Sequence, residues 1–513
     1  IYNISGKKTV AMLKKRRDDL KKYAARYYKF LSEQVNITGT KEKEIFEVAR
    51  LNNDSTLVVV YKDGKGSRYD RILFERTFLQ SETKEIRLYG LGDDDIFTIS
   101  GNATKGITVR VIGGKGVDSV TDHSLVKGLT HKTKIYDEKN TTIYTGSEAR
   151  KFISNDTLKN DYHFKSFKFD WVAPVMAPGY NLDDGFFIGG GIAYKKQQFG
   201  KAPYGQMHLI AGNYSFATSA YSVWYKGMFR EFIGKADLNL SAKYNSPTYV
   251  RNFYGLGNET VNREDVSKDY YRVRMSQLSV SSAISRQLGK YHSLTIGNEF
   301  QSVKLQESEN RFIESGGSKL DSTDYDRKNY LTSKLGYQFN NLDNELYPRK
   351  GIKFEAGASY TQNVSDRDKN YVTLHSEASI YNSKGRFTLA SRAGIATNVG
   401  NDYEFYQANY LGGLSNLRGF RKDRFAGKTS VYQTTELRVS ISNMNAYFVK
   451  GVWGVLVFAD NGRVWMPEES SDTWHHGYGG GLWFLPFNKM AMTATYGVSK
   501  EDKLLSITAG FLF

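Results

Sequence analysis

The chain has no cysteine in its 513 residues. That excludes disulfides, zinc–thiolate sites and thiol nucleophiles together. Proline is scarce at seven residues, which beside 48 glycines argues against disorder. No run of eighteen apolar residues occurs, so no transmembrane helix is expected. The mean hydropathy of −0.52 does not exclude a membrane barrel, because alternating strands average out as hydrophilic. Catalytic constellations are missing too. His475 and His476 are adjacent, not one helical turn apart, and there is no Gly-x-Ser-x-Gly elbow. Gly189-Gly190-Gly191 lies in a strand segment with no following helix to hold a phosphate. The reading is therefore not an enzyme. The chain begins at Ile1 with no signal-peptide pattern, and reads as a mature or truncated product.

Glycine, tyrosine and phenylalanine are abundant, at 48, 36 and 30 residues. That suits many strands with tight turns and aromatic girdles at two membrane interfaces. The net charge is +17, which fits nucleic acid or anionic lipid headgroups.

Much of that charge is local. Residues 7–34 read as a helix, with Val10, Leu13, Leu20, Ala24, Tyr27 and Leu31 on one stripe. Ten Lys or Arg lie between Lys7 and Lys29, including Lys14, Lys15, Arg16, Arg17, Lys21 and Lys22, against Asp18 and Asp19. One reading is an interfacial helix on anionic headgroups. The other is a helix docked on its own domain with a solvated basic face. No nucleic-acid reader motif accompanies the charge, so no nucleic-acid partner is expected.

Residues 1–38 thus form a basic amphipathic helix, and 39–150 a small all-β domain of short strands between Gly, Asp and Asn turns. Two turns there share a Gly-x-Gly-x-Asp pattern twenty-four residues apart, Gly90 to Asp94 and Gly114 to Asp118. The pattern resembles a calcium-binding nonapeptide turn, which makes Asp94 and Asp118 calcium candidates. Such coils need consecutive stacked repeats, and two isolated copies read instead as tight β-turns with no cofactor.

From 160 to 513 the texture is uniform: long segments alternate apolar with small or polar residues. Leu505, Ile507, Ala509, Phe511 and Phe513 share one face of the last segment, with Ser506, Thr508 and Gly510 on the other. Sixteen strand candidates begin near 163, 185, 205, 219, 235, 268, 291, 328, 351, 370, 385, 428, 447, 476, 488 and 503. An even count suits a barrel with both ends on one side of the membrane. Connections after even strands are mostly short, and those after strands five, seven and eleven are long. Short turns are assigned to the periplasm and long loops to the exterior. The expected fold is a sixteen-stranded antiparallel transmembrane β-barrel, preceded by the helix and the small domain.

Leu411 to Phe420, LGGLSNLRGF, falls between strands eleven and twelve. It resembles the Arg-Gly-Phe motif in loop six of the BamA/TamA/FhaC superfamily of bacterial outer-membrane barrels. Three other segments agree in order: 253–259 (FYGLGNE), 343–351 (DNELYPRKG) and 458–465 (FADNGRVW). The terminal Phe513 with Phe511 resembles an outer-membrane β-signal. The front region lacks the alternating β-α pattern of POTRA domains, so the likeness is to a short form. The resemblance implies a loop folded into the lumen, with Arg418 pairing with Glu436 and Asp460, Gly419 allowing close approach and Phe420 plugging the tip. It also implies a weak seam between the first strand, carrying Pro174 and Pro178, and the last, carrying Phe511 and Phe513. The implied task is insertion or translocation of protein, or movement of lipid, through that lateral gate in a Gram-negative outer membrane. The N-terminal region would be periplasmic, the barrel monomeric, the partners outer-membrane lipids and clients that the sequence does not identify. Alternatives are a barrel that anchors and exports an upstream enzyme domain, and a passive pore.

Overall fold

The computed structural model describes all residues except 1–5, 64–70, 129, 316–319, 321 and 446–449. Ile1 and the predicted strand start at 447 lie outside the described residues. The chain divides into two compact units, residues 1–168 and 169–513.

The first unit opens with helix α1, Lys7–Glu33. The chain then winds as a two-sheet solenoid. One sheet is parallel throughout, ordered Gln34–Thr38, Glu85–Gly92, Thr108–Lys115, Thr133–Asp137 and Ala149–Ile153. In the facing sheet, Glu44–Arg50, Ile96–Ser100, Ser119–Asp122 and Thr142–Thr145 are likewise parallel. Alternate residues of both sheets point inward and form a buried core, with Phe46, Ile86, Phe97, Val109, Val120 and Ile135 at 0% exposure. The all-β expectation therefore acquires a specific topology. The strands are successive rungs, not hairpins, apart from one inserted antiparallel pair, Ser55–Lys62 and Arg71–Leu79.

The two Gly-x-Gly-x-Asp turns do stack, but in a different register from the one the sequence suggests. Leu91 pairs with Gly114, a repeat of 23 residues, so Gly90 lies over Gly113 and Asp95 over Asp118. Two columns meet at this corner. Gly39, Gly90 and Gly113 lie at or near the C-terminal ends of rungs of the first sheet; Glu44, Asp95 and Asp118 lie where rungs of the second begin. A Cβ on Gly90 would sit 2.3 Å from an Asp95 carboxylate oxygen, so glycine makes room for the acid. At the next rung the chemistry inverts: Asp137 occupies the glycine position and reaches toward Asp118.

The second unit is a closed antiparallel barrel of sixteen strands among the described residues. They are β1 (Trp171–Asn181), β2 (Gly185–Lys196), β3 (Gln206–Ser215), β4 (Ala220–Ile233), β5 (Ala236–Asn245), β6 (Arg272–Gln287), β7 (His292–Leu305) and β8 (Lys328–Asn340). Then follow β9 (Gly351–Asn363), β10 (Asn370–Lys384), β11 (Phe387–Val399), β12 (Thr429–Asn445), β13 (Lys450–Trp465), β14 (His475–Pro486), β15 (Met492–Val498) and β16 (Lys503–Ala509). The expected starts agree within about four residues except the first. Strand β1 begins at Trp171, not near 163, because the Phe- and Lys-rich stretch 163–169 lacks strict alternation. Alternation aims each side chain. On β11, Phe387, Leu389 and Ile395 face outward, while Thr388, Ala390 and Arg392 are buried within. No helix among the described residues is long and apolar enough to cross a membrane.

Candidate functional site: the loop-six lock and the seam

The connection between β11 and β12 enters the barrel interior. Its tip residues Leu417, Arg418 and Phe420 are 0–4% exposed. The Arg418 guanidinium donates from Nε to Asp460 Oδ2 at 2.8 Å and from Nη2 to Asp460 Oδ1 at 2.7 Å. Its Nη1 donates to Glu436, and its backbone N–H donates to Asp460 at 2.9 Å. Parity explains the meeting. Asp460 on β13 shares the inward face with Leu456 and Phe458, and Glu436 on β12 is 1% exposed. The Phe458 ring lies beneath the guanidinium, 3.5 Å from its centroid. The fork geometry of arginine suits this bidentate contact plus a third carboxylate contact, which lysine does not offer. The expected trio of Arg418, Glu436 and Asp460 is assembled.

Gly419 adopts φ +90° and lies against the Val498 backbone. Gly477 on β14 is bare because a Cβ there would come within 1.8 Å of the Arg418 carbonyl oxygen. Phe420 packs with Leu411, Leu417, Phe425 and Val464.

Two further arginines, absent from the expected set, extend the lock. Arg424 is 1% exposed and pairs with Glu501 at 2.6 Å, while also donating to Thr260. Arg421 donates to Asp502 at 3.0 Å and to Asp183 at 3.4 Å. Asp502 lies in the turn between β15 and β16, and Asp183 in the turn between β1 and β2. Arg421 therefore bridges the two strand pairs that flank the closure. The one available signal is basic spacing after the motif, in Arg418-Gly-Phe-Arg421-Lys-Asp-Arg424.

The closure itself is sparse. Between β1 and β16 the register has one pair among the described residues, Tyr180 with Ile507. The neighbouring pairs β1–β2 and β15–β16 have eleven and seven. Pro174 and Pro178 both lie in β1, where each removes a backbone donor. Phe511 and Phe513 depart from the expected alternation. Strand β16 ends at Ala509, the chain turns at Gly510, and both rings leave the strand face. Phe511 packs against Trp483 and Tyr347. Phe513 approaches Tyr381, and its main-chain oxygen accepts from Arg438 at 2.7 Å. Beyond Ala509 the tail makes these contacts and has no register partner on β1 among the described residues. A cavity of about 320 Å³ remains between the tail and the lock, lined by Arg392, Ser415, Glu436, Thr495 and Phe511 among others.

The other motif segments are anchors. Asn258 is fully buried, donates to Thr473 and Ser471 and accepts from Val464, tying the β5–β6 loop to the β13–β14 side. In the β8–β9 turn, Asp343 accepts from the backbone of Arg349 and Lys350.

A family model, the Omp85 superfamily domain, matches residues 210–513. The chain belongs to the Omp85 superfamily. Its resemblance to BamA/TamA/FhaC barrels, first carried by Leu411–Phe420, agrees with this membership. Among solved structures, this Omp85 barrel is similar to BamA from Haemophilus ducreyi lacking POTRA domains 1-3. The identity is 16% and the TM-score 0.48, over 67% of this chain and 70% of that one. It is also similar to CdiB from Escherichia coli, with 14% identity and a TM-score of 0.45. That match covers 67% of this chain but only 63% of the CdiB chain.

The calcium candidates do not come together in this Omp85 protein. Asp94 is exposed and accepts from the Val117 backbone at 2.7 Å, whereas Asp118 is buried beneath Asp95. Among the described residues, no group of three or more His, Asp or Glu side chains is placed to hold a metal.

Proposed function

We propose that this chain inserts proteins into the outer membrane or translocates them across it, using the seam between β1 and β16 as its working edge. Lipid movement at the same seam is the accompanying cargo class. The observation that carries this reading is the single-pair closure, with Arg421 bridging its flanks from the tip of loop six. A barrel strand exchanges partners at an edge whose backbone donors and acceptors are poorly paired. At β1 and β16 that condition is met by two prolines on one side and a tail turned away on the other. The lock holds loop six against β12 to β15, so the rest of the wall stays rigid while the edge works. In this orientation the long-loop end faces outward, and the solenoid and α1 are periplasmic. The barrel acts as a monomer and its work is transport, not catalysis.

The test is reconstitution of the chain in liposomes with an unfolded outer-membrane barrel protein as client, alongside a lipid-scrambling assay. Accelerated client insertion or lipid exchange supports the reading. No effect in either assay, combined with a large, steady, ungated conductance in single-channel recording, would replace it with a passive pore.

A further inference from the structure

Helix α1 is 27 residues long, and its apolar side chains have little to cover them. Leu13, Leu20, Tyr23, Tyr27 and Leu31 are each 51–63% exposed, and Ser32 is the buried residue of the helix. Of the stripe read from the sequence, Leu13, Leu20, Ala24, Tyr27 and Leu31 are exposed and Val10 is half-buried, so most of that stripe is not covered by its own domain. Contacts with the solenoid concentrate at the C-terminal end, where Tyr28 donates to Glu82 at 2.9 Å and accepts from Arg76 at 3.2 Å.

At about 100° per residue, the helix has an apolar arc and a largely cationic one. Leu13, Leu20, Tyr23, Tyr27 and Leu31 fall on one arc. Lys7, Lys8, Lys14, Lys15, Lys21, Lys22, Arg26 and Lys29 fall on the other. Arg16 falls within the apolar arc, where a long stem can lie along apolar surface while its head reaches water, and Arg17, beside that arc, pairs with Asp18 at 2.8 Å. Such a helix, apolar on one side and cationic on the other, fits an anionic bilayer surface, with the stripe in the acyl boundary and the cations at headgroup level.

A second observation brings a bilayer within reach. Phe30, on the last turns of α1, packs edge-on to Phe167 at 5.6 Å. Only four residues then lead to Trp171, where β1 begins, a covalent reach of at most about 14 Å. Phe164 in the same Lys- and Phe-rich stretch is 84% exposed. A short tether to a membrane-spanning strand keeps the local concentration of lipid high.

We propose that α1 is a membrane-surface helix that binds the anionic phospholipid bilayer in which its own barrel resides. The proposal uses only the barrel's residence in a membrane, and stands whether or not the barrel transports protein. The absence of cysteine makes the test direct. Leu20→Cys and Lys22→Cys, placed on opposite arcs, are each labelled with an environment-sensitive fluorophore in the full chain. The chain is reconstituted in phosphatidylcholine vesicles with or without 30% phosphatidylglycerol.

The expected result is a blue-shifted Leu20→Cys signal in the phosphatidylglycerol vesicles only. It should revert in high salt and in a variant carrying Lys14→Gln, Lys15→Gln, Lys21→Gln and Lys22→Gln. The Lys22→Cys signal should stay water-like throughout. A Leu20→Cys probe that stays water-like in both vesicles overturns the proposal. One that is equally buried in both, or unchanged by the glutamines, assigns the stripe to a protein surface and also overturns it. Circular dichroism of the glutamine variant checks that the helix persists.

Discussion

Arg418 is held by two carboxylates and a ring, and is 4% exposed. Removing one member of a buried ion network leaves an uncompensated charge, which costs about 3–5 kcal/mol. Arg418→Met should therefore lower the thermal midpoint of the folded barrel, read by gel mobility after heating. It should also expose residues 400–428 to trypsin in the reconstituted protein. Gly477→Ala should release the loop without touching a charge, because its Cβ would displace the Arg418 carbonyl at 1.8 Å. Equal trypsin resistance in Gly477→Ala and the parent would show that the tip does not dock where the structure places it. Arg418, Glu436 and Asp460 are legible in the sequence, because the Arg-Gly-Phe resemblance marks the arginine and its acidic partners, and strand parity turns Asp460 inward. Arg421 is not. Its partners Asp183 and Asp502 are far apart in sequence and meet only because the barrel closes.

At the scale of elements, the solenoid corner makes a pH prediction. Burial is the main cause that pushes Asp95 up to about 9 and Asp118 up to about 7, and Asp137 is raised as well. The groups facing this column are acidic too: Glu44 and Asp93 near Asp95, Asp94 near Asp118, and Glu138 beside Asp137. A raised carboxyl stays protonated in the folded domain while the unfolded chain ionises near the ordinary value of 3.8. The contribution to stability is full below about pH 4. It is lost as pH rises through 7 and 9, by about 1.4 kcal/mol per pH unit for each carboxyl still protonated. Urea-dependent proteolysis of residues 34–153 in the intact chain should show a falling midpoint from pH 5 to pH 9. Asp95→Asn should flatten that fall, and a midpoint that rises with pH would contradict the assignment.

The column escaped the sequence reading for a physical reason. The inserted hairpin stretches the first coil, pairing Ile45 with Ile96, while the following rung repeats after 23 residues, pairing Ile96 with Ser119. An uneven period hides a stack. The barrel strands were legible because their alternation is local and long. Strand β1 was misplaced by eight residues because its prolines and the preceding aromatics blur that alternation.

At the scale of the whole molecule, β1 and β16 share one register pair among the described residues, and Arg421 spans the turns that flank them. Arg421→Ala removes the side chain shared by Asp183 and Asp502. It should leave the lock at Arg418 intact yet raise client insertion or lipid exchange in liposomes several-fold, on the order of 1 kcal/mol in barrier. Unchanged rates would remove Arg421 from the mechanism without touching the seam. The seam itself is tested by closing it. Tyr180 and Ile507 are register partners on β1 and β16, at a spacing that a disulfide can bridge. In a chain without other cysteines, Tyr180→Cys with Ile507→Cys can be oxidised in the reconstituted barrel and then reduced. The account predicts that oxidation stops client insertion and that reduction restores it. A cross-linked barrel that inserts clients at the parent rate would contradict it.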